Sequence, residues 1–268
     1  MSLRIQNNVE AFNAHRNLAA VNNAVSKSME RLSSGYRINR AADDAAGLAI
    51  SEKMRGQING LAQAQRNTQD GISLVQTAEG SLNEVHSMLQ RVRELAVEYK
   101  NDTYSASNRT AIQSEVNQLA SEIERIGASA SFNGICLLNN TNTVNFQVGS
   151  NDGETISVAM ISLGSVVGSN YFSLSATGTT DLSEIDAAID AVSNQRSSLG
   201  AVQNRLEHSM SNAAVYQENL VASESRIRDV DMAEETVSLT KNQILSQAGT
   251  AMLAQANQAG QGVLSLLH

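Results

Sequence analysis

Apolar residues recur at steps of three and four over most of this chain. From Ile50 they run through Met54, Leu61, Ala64, Val75, Ala78, Leu82, Val85, Leu89, Val92, Ala96 and Tyr99, the spacing that lines one face of a long helix packed in coiled-coil fashion. About 50 residues at ~1.5 Å each predict a rod of roughly 75 Å. Asn101 and Asp102 mark a break. A shorter seam at Ile112, Val116, Leu119, Ile123 and Ile126 ends near Gly127. After Asp181, an expected N-cap with Glu184 in capping-box position, the rhythm returns at Leu182, Ile185, Ile189, Val192, Leu199, Leu206, Met210, Ala213, Leu220 and Ile227.

Between residues 126 and 180 the period changes from helical to alternating. Val144, Phe146 and Val148 alternate with polar residues, as do Ile156, Val158 and Met160, and the turn-rich stretch GSNDGE joins them. This predicts a β-hairpin with one buried face. Tyr171, Phe172 and Leu174 suggest a further short strand. The expected fold is therefore mainly α: a long antiparallel helical rod with terminal coiled-coil arms and a small β-hairpin module at the far end. The arms take residues 1–40 and 230–268, and the rod takes 41–229 with its β module at about 130–180.

The arms carry their own patterns. The N-terminal arm has a seam at Leu18, Val21, Val25 and Leu32. The C-terminal arm has one stripe at Ile244, Ala248 and Ala251 and a second at Leu245, Met252, Ala256, Ala259, Val263 and Leu266, with Leu253, Leu264 and Leu267 adding apolar bulk. A helix apolar on two sides requires more than one neighbour. Two charged joints separate arms from rod: ERLSSGYRINRAADD, with Arg31, Arg37, Arg40, Asp43 and Asp44, and ESRIRDVDMAEE, with Arg226, Arg228, Asp229 and Asp231. An antiparallel pairing sets these joints side by side.

Composition sharpens this picture. The 41% hydrophobic content supports a core, but only 3% of residues are aromatic and Trp is absent, which suits thin helix-on-helix layers. Proline is also absent, where ~5% is usual, so nothing forces a helix to kink or stop. The single cysteine, Cys136, has no partner for an internal disulfide and is expected as a small core residue. Net charge is -8, with +4 on residues 1–40. That basic excess is too sparse for a nucleic-acid patch. No stretch reads as a conventional secretory signal or a membrane span.

Residues 242–267 contain no charged side chain at all. Ordering so many residues costs more conformational entropy than partial burial against one short helix returns, so both arms are expected to be largely disordered in an isolated chain. Such segments fold when many copies surround them. Neutrality then follows, because any charge would be repeated on every neighbour in a dry interior, and the pattern points to polymerisation.

Catalytic signatures are missing: there is no HExxH, GxSxG, Walker or dinucleotide-binding glycine pattern, and His15, His86, His208 and His268 lie on separate segments. No enzyme activity, cofactor or metal is expected. Asp43–Asp44 and Asp229–Asp231 are read as helix caps and ion-pair partners.

Five blocks resemble bacterial flagellins: MERLSSGYRINRAADDAAGLAISEKMRGQINGL from Met29, TQDGISLVQTAEGSLNEVHSMLQRVRELAVE from Thr68, SLGAVQNRLEH from Ser198, ENLVASESRIRDVDMAEE from Glu218, and ILSQAGTAMLAQANQ from Ile244. The likeness covers the chain outside 135–180. It implies a secreted, extracellular homo-polymer that forms the flagellar filament used in motility, exported by a type III apparatus, with an export chaperone and flagellar cap and junction proteins as partners. The short 135–180 stretch implies a minimal form without large outer domains. By resemblance, Arg91, Leu95 and Glu115 match the surface read by a host Toll-like receptor, and VLSLL at 263–267 matches a segment bound by intracellular flagellin sensors. Two features depart from the family pattern: AQANQ is not followed by the usual nearby proline, and Cys136 is unusual, which raises an exposed thiol as the alternative to a core position. A hook-filament junction protein and a cytosolic coiled-coil adaptor are the competing readings.

Overall fold

The computed structural model describes residues 8–166, 174 and 181–265. In chain order the elements are α1 (Val9–Ser34), α2 (Ala45–Tyr99), α3 (Ala106–Ser129), β1 (Ser131–Phe132), β2 (Ile135–Cys136), β3 (Thr143–Gln147), β4 (Thr155–Ala159), α4 (Leu163–Val166), α5 (Asp181–Arg228) and α6 (Met232–Ser265). The architecture is mainly α with a small β-hairpin module. Without proline, α2 runs unbroken for 55 residues and α5 for 48.

Local chemistry sets the ends. Asn8 caps α1 by accepting from the Ala11 N–H, and Gly35 closes it in the left-handed region at φ 75°, its N–H returning to the Arg31 carbonyl, the usual glycine C-cap. Ser105 caps α3 through the Asn108 N–H. Strands β1 and β2 join through Asn133 and Gly134, both with positive φ, the primed turn that matches strand twist.

The chain divides into two compact units, one from Met1–Gly56 with Asn219–His268 and one from Gln57–Glu218. In the second unit, α2 and α5 run antiparallel, as Gln65–Gln217 (2.8 Å), Glu79–Arg196 (3.8 Å) and Arg93–Asp186 (2.5 Å) show. Helix α3 and the hairpin complete the layer. Leu82, Val85 and Leu89 of α2 meet Ile123 of α3, Val192, Leu199 and Leu206 of α5, and Leu137, Leu138, Val158 and Leu163 from the β region. These side chains are almost wholly removed from solvent. Strand β4 pairs with β3 in the register Val144↔Val158 and Phe146↔Ile156, which turns Ile156 and Val158 inward and leaves Thr155 and Ser157 outside. The alternation read from the sequence is therefore a hairpin with one buried face.

Three sequence expectations need revision. Cys136 is exposed, not a core residue: it pairs across the short sheet with Ser131, and Leu137 and Leu138 directly after it take the buried places. The α2 seam starts through Ser51, which is fully buried, while Ile50 points outward; a one-residue shift on a helix turns a side chain by ~100°. Leu174 lies in no strand but is buried among the α2, α3 and α5 side chains, with its N–H donating to Gln113 Oε1 at 3.0 Å. Tyr171 and Phe172 lie outside the described residues.

Candidate assembly surface on the arms

In the first unit, α1 and α6 form an antiparallel pair. Asn8 Nδ2 donates to the Ala256 carbonyl at 2.9 Å, Ser246 Oγ to Asn22 Oδ1 at 2.9 Å, and Arg31 meets Glu235 at 3.4 Å. Helix α1 presents Leu18, Val21, Val25, Ser28 and Leu32 along its covered side. Helix α6 answers with Leu239, Asn242, Ser246, Gly249, Leu253 and Ala256. The seam is tight at Gly249, where an added Cβ would lie 3.2 Å from Leu18 Cδ1.

This seam uses little of α6's apolar surface. Ile244, Leu245 and Met252 are 60%, 44% and 65% exposed, and Ala248 and Ala251 also face outward. Of the two stripes read from the sequence, only Ala256 joins the contact with α1 among the described side chains. Val263, Leu264, Leu266 and Leu267 fall outside the described side chains. The pair thus sets an apolar stripe of α1 against a mostly small and polar stripe of α6 and leaves the large apolar residues Ile244, Leu245 and Met252 of α6 outside the seam.

Two grooves flank the pair. One, of about 600 Å³, is lined by Leu18, Val21, Leu245, Ala248, Gly249 and Met252 together with Asn13, Asn17 and Gln255. The other, of about 300 Å³, has Phe12, Ala11, His15, Leu253 and Asn257 on its walls. Phe12 is 71% exposed and escaped the sequence reading, as did Val237. The available signal was a large aromatic lying off the Leu18, Val21, Val25 seam.

The charged joints meet directly. Arg37 N–H donates to the Arg228 carbonyl at 2.7 Å, Val230 N–H to the Gly35 carbonyl at 3.0 Å, and Arg37 Nη2 to the Ile227 carbonyl at 2.6 Å. Tyr36 and Asp229 form a β-bridge. The Arg228 guanidinium lies 4.7 Å over the Tyr36 ring and donates to Glu52 at 2.8 Å. Arg40 binds Glu30 at 2.9 Å, and Arg226 makes a local bond to Ser223. The adjacent carboxylates diverge. Asp43 takes Lys27 at 2.7 Å and the N–H groups of Asn39 and Arg40, and these bonds, the lysine's foremost, hold its pKa at about 2. Asp44 caps α2 through the Gly47 N–H, and Asp231 caps α6 through Ala233 and Glu234.

In the second unit, Arg91 binds Glu115 at 2.9 Å and Glu94 at 3.1 Å, and these carboxylates, Glu115 first, raise its pKa. Leu95 does not share that surface. It is 1% exposed and belongs to the core with Val92, Val116 and Ile185.

A helix pair whose large apolar faces look outward defines a class of protein: a mainly helical chain with an uncovered apolar surface on its terminal helices. Comparison with known proteins gives the particular family. Residues 5–143 match the model of the bacterial flagellin N-terminal helical region, and 182–267 that of the C-terminal helical region. The chain is 54% identical to a flagellin of Halalkalibacterium halodurans, over 98% of this chain and 99% of that one, and 48% identical to a flagellin of Bacillus subtilis, over 99% and 100%. The crystal structure of Bacillus cereus flagellin matches with a TM-score of 0.51 at 30% identity, covering 55% of this chain and 88% of that one. The chain belongs to the bacterial flagellin family, whose members are structural subunits of the extracellular flagellar filament.

Proposed function

We propose that the outer apolar faces of α1 and α6 are the surface through which copies of this chain polymerise. The carrying observation is the placement of Phe12, Ile244, Leu245 and Met252 outside the α1–α6 seam. Burying such a side chain stabilises by ~1.5–3 kcal/mol, and the uncharged stretch 242–267 lets copies of α6 approach one another without like-charge repulsion. In this reading the arms, 1–40 and 230–268, are largely disordered in a free subunit and fold on assembly, while 41–229 forms the rod with its β module at about 130–180. An export chaperone would bind the arms before assembly, and cap and junction proteins would meet the subunit at the filament ends. For host sensors, Arg91 and Glu115 offer the exposed polar contact to a Toll-like receptor while Leu95 supports them from the core. The segment 263–267 is the candidate for intracellular sensors.

Electron microscopy of seeded subunit, beside a truncation lacking residues 242–268, tests the assembly reading. Long filaments from the full chain and none from the truncation are expected. Equal growth from both would overturn it. Receptor binding by Arg91→Ala and Glu115→Ala chains tests the sensor reading, which fails if both bind as the unaltered chain does.

A further inference from the structure

Methionines are unevenly exposed. Met29, Met232 and Met252 are 56%, 50% and 65% exposed, and all three lie in the unit that holds the arms. Met54 of the same unit is half-buried, as are Met88 and Met210 of the other unit, where Met160 is 7% exposed. Met252 stands in the larger groove beside Leu18, Leu245 and Ala248, on the face assigned above to a neighbouring copy. A thioether suits that position, being flexible, polarizable and apolar.

We infer that Met252, with Met29 and Met232, is a modification site at which peroxide-class oxidants block polymerisation. The inference rests on the assembly reading. The sulfur lone pair attacks one peroxide oxygen, the O–O bond breaks, and water leaves. Sulfur is oxidised by two electrons to the sulfoxide and the peroxide is reduced to water. Oxidation of methionine makes an apolar side chain polar and chiral, and the change is reversible by methionine sulfoxide reductases. A sulfoxide oxygen pressed against Leu245 and Ala248 of the apolar face would lack the hydrogen bonds it has in water, at a cost on the order of tenfold in affinity for the growing end. Assembly through that face covers Met252, so this site is vulnerable before incorporation and protected afterwards, while Met29 and Met232 are drawn in as the other exposed methionines of the same unit.

The test uses full-length subunit in a Cys136→Ser background, which removes the exposed thiol from the chemistry. Soluble subunit is treated with dilute hydrogen peroxide, quenched, mapped by peptide mass, and added to filament seeds. The expected result is a gain of one oxygen at Met29, Met232 and Met252 but not at Met160, a rise in critical concentration on the order of tenfold, and recovery after reductase treatment. The chain carrying Met29→Leu, Met232→Leu and Met252→Leu, a shape-conserving set, should elongate equally with and without peroxide. Intact filaments given the same dose should gain oxygen at Met252 far more slowly. Unchanged elongation of fully oxidised wild-type subunit would overturn the inference, as would equal loss by the leucine chain. Failure of untreated wild-type subunit to elongate is read before any oxidant is added, and it would sink the assembly reading itself.

Discussion

The two units use one motif, an antiparallel pair of helices, with opposite results. Around Leu82, Leu89 and Leu206 the pair is closed by α3 and the hairpin, and these side chains reach zero exposure. Around Leu18 and Gly249 no described residue closes the pair, and among its described side chains the only buried one on α1 is Ser28. A pair of helices alone has too little volume to enclose its large apolar residues, because each side chain needs neighbours on several sides. The difference teaches that a third layer separates a folded module from a surface awaiting partners.

Core truncation should break the closed unit most severely. Leu89→Ala is expected to lose about 2–5 kcal/mol of stability, read by urea denaturation of soluble subunit; a loss within measurement error would mean the core is not continuous there. Glycine substitutions sharpen the contrast, since both Gly71 and Gly249 have a neighbour 3.2 Å from an added Cβ. Gly71 faces the Phe146 ring with Leu206 behind it, so Gly71→Ala should destabilise by about 1–3 kcal/mol through overpacking. At Gly249 the obstacle is the free end of Leu18 beside an open groove. Gly249→Ala should therefore gain helicity, by up to ~1 kcal/mol, visible in far-ultraviolet circular dichroism. If both destabilise alike, the seam is as closed as the core.

Surface changes on the arms should leave subunit stability almost untouched. Ile244→Ala with Leu245→Ala should shift it by less than ~0.5 kcal/mol while markedly raising the critical concentration for filament growth. The smallest expected effect is at the joint. The Asp43 carboxyl, bonded to Lys27, Arg40 N–H and Asn39 N–H, has its pKa lowered to about 2, below the ordinary ~3.9. Its contribution is complete above about pH 4 and is lost as pH falls through about 2. Protection of the Asn39 and Arg40 amides in assembled subunits, taken relative to the intrinsic exchange rate at each pH, should fall over that window, and Asp43→Asn should remove the step; an unchanged step in that variant would assign it elsewhere.

Much of this was legible in the residue pattern. The heptad-like seams of α2, α3 and α5 and the Val144–Phe146 and Ile156–Val158 alternation depend on local periodicity, which sequence records directly. The misplacements share a different cause. Cys136 and Ile50 lie one residue from a buried position, where pattern alone does not choose between neighbours. Family resemblance groups Leu95 with the exposed Arg91 and Glu115, and apolar bulk groups Leu253 with the exposed Leu245 and Met252, yet one lies in the core and the other in the inner seam.

By itself the sequence determined the helical class, the absence of kinks, the hairpin and the neutral double-striped tail, because backbone propensity and hydrophobic period act over a few residues. Only the tertiary structure decided which stripe of α6 meets α1. The stripe that did carries Leu239 and Leu253 toward its ends and the small or polar Asn242, Ser246 and Gly249 between them, and the missing side chain of Gly249 lets Leu18 approach closely. The larger Ile244, Leu245 and Met252 were left outside, uncovered by any described residue of this chain.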